Sequence, residues 1–248
     1  MQFFLTAVLA FMAFSQAPAA PASAPVPVVV ELFTSEGCSS CPPADTVLSQ
    51  LAKQSIGGVQ VIPLGMHVTY WDQLGWKDPA SLALATERQQ DYGRVFGGDR
   101  IYTPQAVVDG REELVGSDGD GVRRAIQKAA RQPHVRVDLR ASLDGDSLKA
   151  EAAIGDLPPD IKEKLEARMV ITEDGLTSVV KRGENGGRTL RHDAAVRAMF
   201  GSDVAAARLL GFRATLRPEW QRERLHVIVL LQGRNTRHIV GAAEAAVK

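Results

Sequence analysis

Residues 26–68 read VPVVVELFTSEGCSSCPPADTVLSQLAKQSIGGVQVIPLGMHV. The Val-rich run 26–33 has the composition of a short strand buried on both faces. Gly37 marks a turn, and Pro42-Pro43 suit the first turn of a helix, where a missing N–H costs no hydrogen bond. Val47, Leu48 and Leu51 then share one helical face, Gly57-Gly58 end the helix, and residues 59–68 read as a second buried strand. Strand, helix, strand implies a parallel pair with a right-handed crossover. Parallel strands end at one shared edge, so the Cys38–Cys41 segment and the residues after His67 must meet there.

Working outward, residues 70–78 (YWDQLGWKD) read as a loop and 79–95 as a helix. IYTPQAVVDG, closed by the hairpin signal Asp109-Gly110, reads as a strand with REELV as its partner, and Ser117-Asp118 precede a helix to about Arg131. Past Pro133 the pattern changes to short strands: HVRVDLRA, SLKAEAAI, ARMVITE, LTSVVKR, ARLLGFRATLR, RLHVIVLLQ and RHIVGAA, with residues 189–200 ambiguous between strand and helix. These predict a mainly antiparallel, sandwich-like sheet. The expected organisation is a signal over 1–24, an α/β domain over 25–132 and a β-rich domain over 133–248.

The apolar run of 12 from Phe3 to Phe14, followed by the small, Pro-rich SQAPAAPASA, has the shape of a cleaved secretory signal, although no Lys or Arg precedes it. It falls short of the roughly 20 residues that span a bilayer. The expected location is therefore periplasmic or secreted, with no stable membrane insertion after cleavage. The 248 residues are 45% hydrophobic, enough for a sizeable core. Lys plus Arg and Asp plus Glu number 29 each, which argues against a nucleic-acid partner held by a basic surface.

Cys38 and Cys41 are the only cysteines. A C-x-x-C between a buried strand and a helix N-terminus, in an exported chain, is the pattern of a redox pair. Helix N-terminal N–H groups stabilise a thiolate, so Cys38 reads as nucleophile and Cys41, one turn in, as resolving thiol. A small-loop structural disulfide and a metal site use the same spacing. Copper, on Cys38, Cys41, Met66 and His67, is the metal alternative, because soft thiolates and imidazole suit it. No cofactor is expected. Glu31, in an otherwise apolar strand, is expected to have a raised pKa and to relay protons, unless the strand end is wet. Thr103-Pro104 opens a strand at the same edge. Tyr70 and Trp71 either form a platform for a partner segment or pack the long connection on the sheet. Asp72 and Asp78 read as turn or cap residues, and GENGG (183–187) as a turn.

VVVELF-TSEG-CSSC followed by YTPQAVVDG resembles the thioredoxin-like superfamily over residues 26 to about 131. That resemblance implies an α/β thioredoxin-like fold, an acid at Glu31, the pair Cys38 and Cys41, and a cis-proline at Pro104 that contacts substrate with Thr103. It implies a thiol-disulfide oxidoreductase acting on protein thiols or disulfides; a non-catalytic binding protein or copper metallochaperone is the alternative. ELFTSEGCSSCPPAD (31–45), HVTYWDQLGWKD (67–78), RQQDYG (88–93), YTPQAVVDG (102–110) and KRGENGGRTL (181–190) also resemble a family of secreted bacterial proteins of unknown function. Thr69 stands where that family usually has Asp.

Overall fold

The structure, a computed structural model, describes residues 24–54, 56–98, 101–204 and 208–247. The expected signal lies outside these residues except for Ala24. From Val26 onward the first half follows the order read above: β1 (Val26–Thr34), α1 (Pro42–Leu51), β2 (Val59–His67), α2 (Ala83–Val95), the hairpin β3 (Gln105–Val108) and β4 (Glu112–Val115), and α3 (Gly119–Ala129). β1 and β2 are parallel, with Val26 opposite Val59 and Thr34 opposite His67. β1 pairs on its other side with β3, antiparallel. Prolines fill the first turn of α1, and Asp118 caps α3 by accepting the Gly121 N–H.

The second half supplies β5 (Val137–Asp144), β6 (Ser147–Ile154), β7 (Leu165–Glu173), β8 (Leu176–Val179), β9 (Thr189–His192), β10 (Ala195–Asp203), β11 (Leu209–Thr215), β12 (Leu225–Gly233) and β13 (Ile239–Ala246). The ambiguous segment 189–200 is strand, split between β9 and β10. These strands correct the expected architecture. An α/β thioredoxin-like domain followed by a sandwich-like domain is not what forms. Instead β13-β12-β7-β10-β2-β1-β3-β4 make one mixed sheet of eight strands. Strand accounts for 42% and helix for 17%, so the class is mostly β.

The reason lies at the outer edge of β2. There the Gly65 N–H donates to the Ala194 carbonyl at 2.8 Å, and Ala195 of β10 stands opposite Gly65. A Cβ at Gly65 would lie 3.4 Å from both Ala194 O and Ala195 Cα, so the glycine lets β10 come close. An edge strand with free N–H and C=O groups is thereby extended rather than left exposed. Among the described residues, β11-β6-β5 form a separate three-stranded sheet and β8-β9 a two-stranded ribbon.

Strand alternation sorts the core into layers. Val28, Val30 and Leu32 of β1 pack under α1 and α3, while Val29 and Phe33 face α2. The α2 side forms one apolar layer that runs from Ile62 and Leu64 on to Val170, Ile228 and Leu230. On the far side of the same strands, Met169, Val227, Val229 and Leu231 pack on the small sheet through Leu148, Ala150 and Phe212. β12 is therefore buried on both faces, and each large aliphatic side chain it buries contributes about 1.5–3 kcal/mol.

The hairpin turn is locked against the β12–β13 connection. Asp109 and Gly110 both have positive φ, 45° and 63°. Ile239 N–H donates to Asp109 O at 2.8 Å, and a Cβ at Gly110 would fall 2.0 Å from the Arg237 carbonyl oxygen. Gly110→Ala is expected to destabilise by about 2 kcal/mol or more, from the left-handed φ and this backbone clash together. At roughly 2–4 °C per kcal/mol for a chain of this size, calorimetry should show Tm falling by about 4 °C or more; an unchanged Tm would mean that the turn can retreat from Arg237.

Candidate functional site

Cys38 and Cys41 form a disulfide with Cα atoms 5.4 Å apart. Cys41 is the N-cap of α1 and accepts the Asp45 N–H at 3.1 Å. Both cysteines are 0% exposed, whereas Ser39 and Ser40 between them are exposed. The Ser40 hydroxyl lies 3.3 Å from Cys38 Sγ.

The shared end of β1 and β2 gathers a buried acid–base cluster beside this turn: Thr34, Glu36, Asp45, His67, Asp78 and His192. Thr34 donates its hydroxyl to Asp45 Oδ1 at 2.8 Å. His67 Nδ1 lies 2.7 Å from Asp78 Oδ2, which also accepts the Glu36 N–H at 2.9 Å. Trp76 Nε1 donates to Glu36 Oε2 at 2.7 Å. The rings of His67 and His192 meet edge to face with centroids 4.6 Å apart. His192 Nε2 is 3.3 Å from Glu36 Oε1 and Nδ1 is 3.7 Å from Asp45 Oδ2, close enough for attraction but without hydrogen-bond alignment.

Electrostatics follow from this packing. Burial by itself would lower the His67 pKa, but the Asp78 carboxylate outweighs it and lifts the value to about 9. Burial likewise works against ionised Asp78, yet charged His67 and two backbone N–H groups bring it down to about 2. Burial pushes the Asp45 carboxyl up, against the pull of His192 and His67.

The turn is also clasped from far along the chain. In the loop between β8 and β9, buried Asn185 donates through Nδ2 to Glu36 O and Cys38 O, both at 2.9 Å. Glu184 Oε2 accepts the Ser39 N–H at 2.9 Å, and the Ser39 hydroxyl together with that N–H holds its carboxyl below the ordinary range.

Of the residues singled out by sequence, Trp71, Thr103 and Pro104 come to this edge. Trp71 Nε1 donates to Thr103 Oγ1 at 2.8 Å, and Trp71 Cβ lies 3.2 Å from where a Cβ on Gly37 would stand. The Thr103–Pro104 bond is cis. A Cβ on Gly116 would be 3.4 Å from Pro104 Cβ and 3.2 Å from Ala44 Cβ, so the proline flanks the first turn of α1. Tyr70 is half-buried, and that burial pushes its hydroxyl pKa up.

Glu31 does not join the cysteines. Alternation along β1 turns it to the α2 side, away from Leu32 and α1. There it forms a bidentate ion pair with Arg88 and accepts the Tyr92 hydroxyl. Arg88 Nη1 also donates to Gln232 Oε1 at 3.0 Å. Burial works against the Arg88 charge, and Glu31 more than offsets it, so the guanidinium is held charged. Glu31 is thus a buried tie between β1, α2 and β12. Of the buried carboxyls on the cysteine side, Glu36, Asp45 and Asp78, Asp45 lies one helical turn after Cys41 on the same helix face; that i, i+4 spacing was the sequence signal for it. Asp78 does cap a turn, accepting Ala80 N–H at 2.8 Å, but its second oxygen builds the cluster. His192, scattered in sequence, carried no signal.

The copper set does not assemble. Met66 packs in the α2-side layer while His67, one residue on, faces the cluster. Among the described residues no group of three or more His, Cys, Asp or Glu is arranged to hold a metal ion. A surface groove of about 1060 Å³ lies at the start of β1 beside β5 and β13, at the other end of the strand from the cysteines.

Comparison with known proteins adds a family and a fold. Residues 29–232 match the model of a family described as protein of unknown function (DUF1223). A solved structure of an Agrobacterium tumefaciens protein is similar at 26% identity and TM-score 0.67, covering 89% of this chain and 94% of that one. HBP35 of Porphyromonas gingivalis is similar in fold at 14% identity and TM-score 0.68, covering 91% of this chain and 76% of that one. No curated protein matches the sequence.

The His67–Asp78 pair has a defined pH signature. His67, raised from 6.5 to about 9, gives stability that is complete below 6.5 and lost as pH rises through about 9. Asp78, lowered from 3.8 to about 2, gives stability present above 3.8 and lost as pH falls through about 2. Urea unfolding is expected to show stability declining from pH 6.5 to 9, and Asp78→Asn should make that decline shallower, leaving the share of His226, which Asp174 and Glu244 raise to about 10. An unchanged decline in Asp78→Asn would assign it wholly to other groups.

Proposed function

We propose that this chain, which belongs to the family of proteins of unknown function described as DUF1223, is an exported thiol-disulfide oxidoreductase acting through Cys38 and Cys41 on protein thiols or disulfides. The observation that carries the reading is the disulfide at the N-terminus of α1, with Cys41 as N-cap and two prolines filling the first turn. Free N–H groups at that end favour a thiolate when the pair is reduced.

In the reduced form Cys38 attacks a partner disulfide. A bond forms between Cys38 Sγ and one partner sulfur, and the other partner sulfur leaves as a thiolate. Cys41 then attacks the mixed disulfide and releases the partner thiol, so two electrons pass to the partner and the pair ends oxidised. Asp45, one turn from Cys41, is the group on this side of the sheet suited to exchange its proton. The partner segment is assigned to the surface of Thr103, cis-Pro104 and Trp71 beside the turn, with Tyr70 preceding Trp71 in the same loop. The expected compartment is periplasmic or secreted, where such a disulfide persists.

A structural disulfide is the second reading, favoured by the complete burial of both cysteines. A redox titration separates the two. Catalytic pairs fall between roughly −270 and −120 mV, and structural disulfides lie below about −300 mV. The oxidoreductase reading expects a value in the first range, and a Cys41→Ser variant that traps mixed disulfides through Cys38. No trapping, together with a potential below about −300 mV, sinks it.

A further inference from the structure

A pair that works on proteins must be reachable, yet both cysteines are 0% exposed while the residues between them are open to solvent. Access is controlled by what covers the turn. One side is covered by the aromatic loop through Trp71 at Gly37. The other is covered by the loop joining β8 to β9, which lies 145–149 residues away in sequence.

That second cover is attached through few points. Asn185 spends both amide hydrogens on the turn, one on Glu36 O and one on Cys38 O. Its own oxygen is occupied by Arg188 Nη1 at 2.8 Å, so the side chain is held in the one orientation that clasps the turn. Glu184 adds the bond from Ser39 N–H. Gly183 packs on Trp76, where a Cβ would lie 3.3 Å from Trp76 Cβ.

The element behind the loop is slight. β8 and β9 are four residues each and pair only with one another. Leu190 and His192 are the only buried residues of the two strands. A two-stranded ribbon is marginal by itself, and such elements supply the low-stability openings of a fold. The eight-stranded sheet, by contrast, is buried on both faces along β7 and β12.

From this geometry we infer that the β8–β9 ribbon, with Asn185 as its catch, is a removable cover that keeps the Cys38–Cys41 disulfide from thiols until the ribbon lifts. This rests on the oxidoreductase reading for its biological role, but the cover itself is testable with a small dithiol. Opening breaks the two Asn185 bonds and the Glu184 bond, withdraws His192 from His67, Glu36 and Asp45, and leaves the sheet intact. A dithiothreitol thiolate then attacks Cys38 Sγ, and Cys41 leaves as a thiolate that takes a proton. The second dithiothreitol thiol, deprotonated, displaces Cys38, so two electrons pass to the cysteines and cyclic oxidised dithiothreitol departs.

The experiment follows the rate of reduction of the full chain by dithiothreitol, read by thiol alkylation and mass. Asn185→Ala and Asn185→Asp are expected to speed reduction by about tenfold or more, since each removes two donors from the turn. Glu184→Gln should give a smaller acceleration in the same direction. Gly110→Ala, which weakens the fold far from the ribbon, should leave the rate unchanged. Equal rates in the wild type and both Asn185 variants overturn the cover. So does an equal acceleration in Gly110→Ala, because reduction would then run through global unfolding. The cover and the proposed function separate cleanly: fast reduction in the Asn185 variants, with no trapped partner in Cys41→Ser and a potential below about −300 mV, supports the cover and removes the oxidoreductase.

Discussion

Thr34 stands opposite His67 in the parallel pair β1–β2, and the whole site hangs on that register. Parallel strands joined by a crossover helix end together, so both chains leave the sheet at one edge. Thr34 fixes Asp45 on α1, and His67 fixes Asp78. Asp78 takes the Glu36 N–H, and Glu36 takes the Trp76 indole N–H. The cysteine turn is thus positioned by hydrogen bonds that trace back to two adjacent strand ends. A slip of one residue would turn His67 to the α2 side and dismantle the cluster.

The second constraint is the seam at Gly65. Because β10 begins opposite this glycine, the residues just before it are delivered to the end of β2. That is why His192 meets the ring of His67, and why the β8–β9 ribbon lies over the cysteines. The same seam turns a sheet edge into an interior position and makes one mixed sheet out of two halves of the sequence. Glu31 serves this join rather than the cysteine pair. A buried carboxylate needs a partner, and Arg88 with Gln232 behind it ties β1 to β12 under α2.

The buried cluster also shows why local rules understate a site. Asp78 obeys the turn rule at one oxygen, through Ala80, and leaves the other free for Glu36 and His67. Asn185 belongs to a Gly-rich turn, as its neighbours suggest, but a turn assignment says nothing of where its amide points. Each of these side chains has a local role that composition reveals and a distant one that it does not.

The amino-acid sequence by itself determined the first half's order of strands and helices, the parallel β1–β2 pair, the Asp109-Gly110 hairpin and the meeting of the cysteine turn with His67. All of these follow from hydrophobic period, proline and glycine positions and chain connectivity, which act over a few residues. It also carried a cue against a sandwich-like second half: VIVLL in β12 is apolar at successive positions, as a strand covered on both faces must be. Only the tertiary structure decided that β10 would close on Gly65, that Gln232 would back the Glu31–Arg88 pair, and that His192 and Asn185 would reach the cysteine turn. Those outcomes depend on which sheet edge is left open and on which side chain is small enough to be approached. Such choices are made between segments more than a hundred residues apart, where no local period operates.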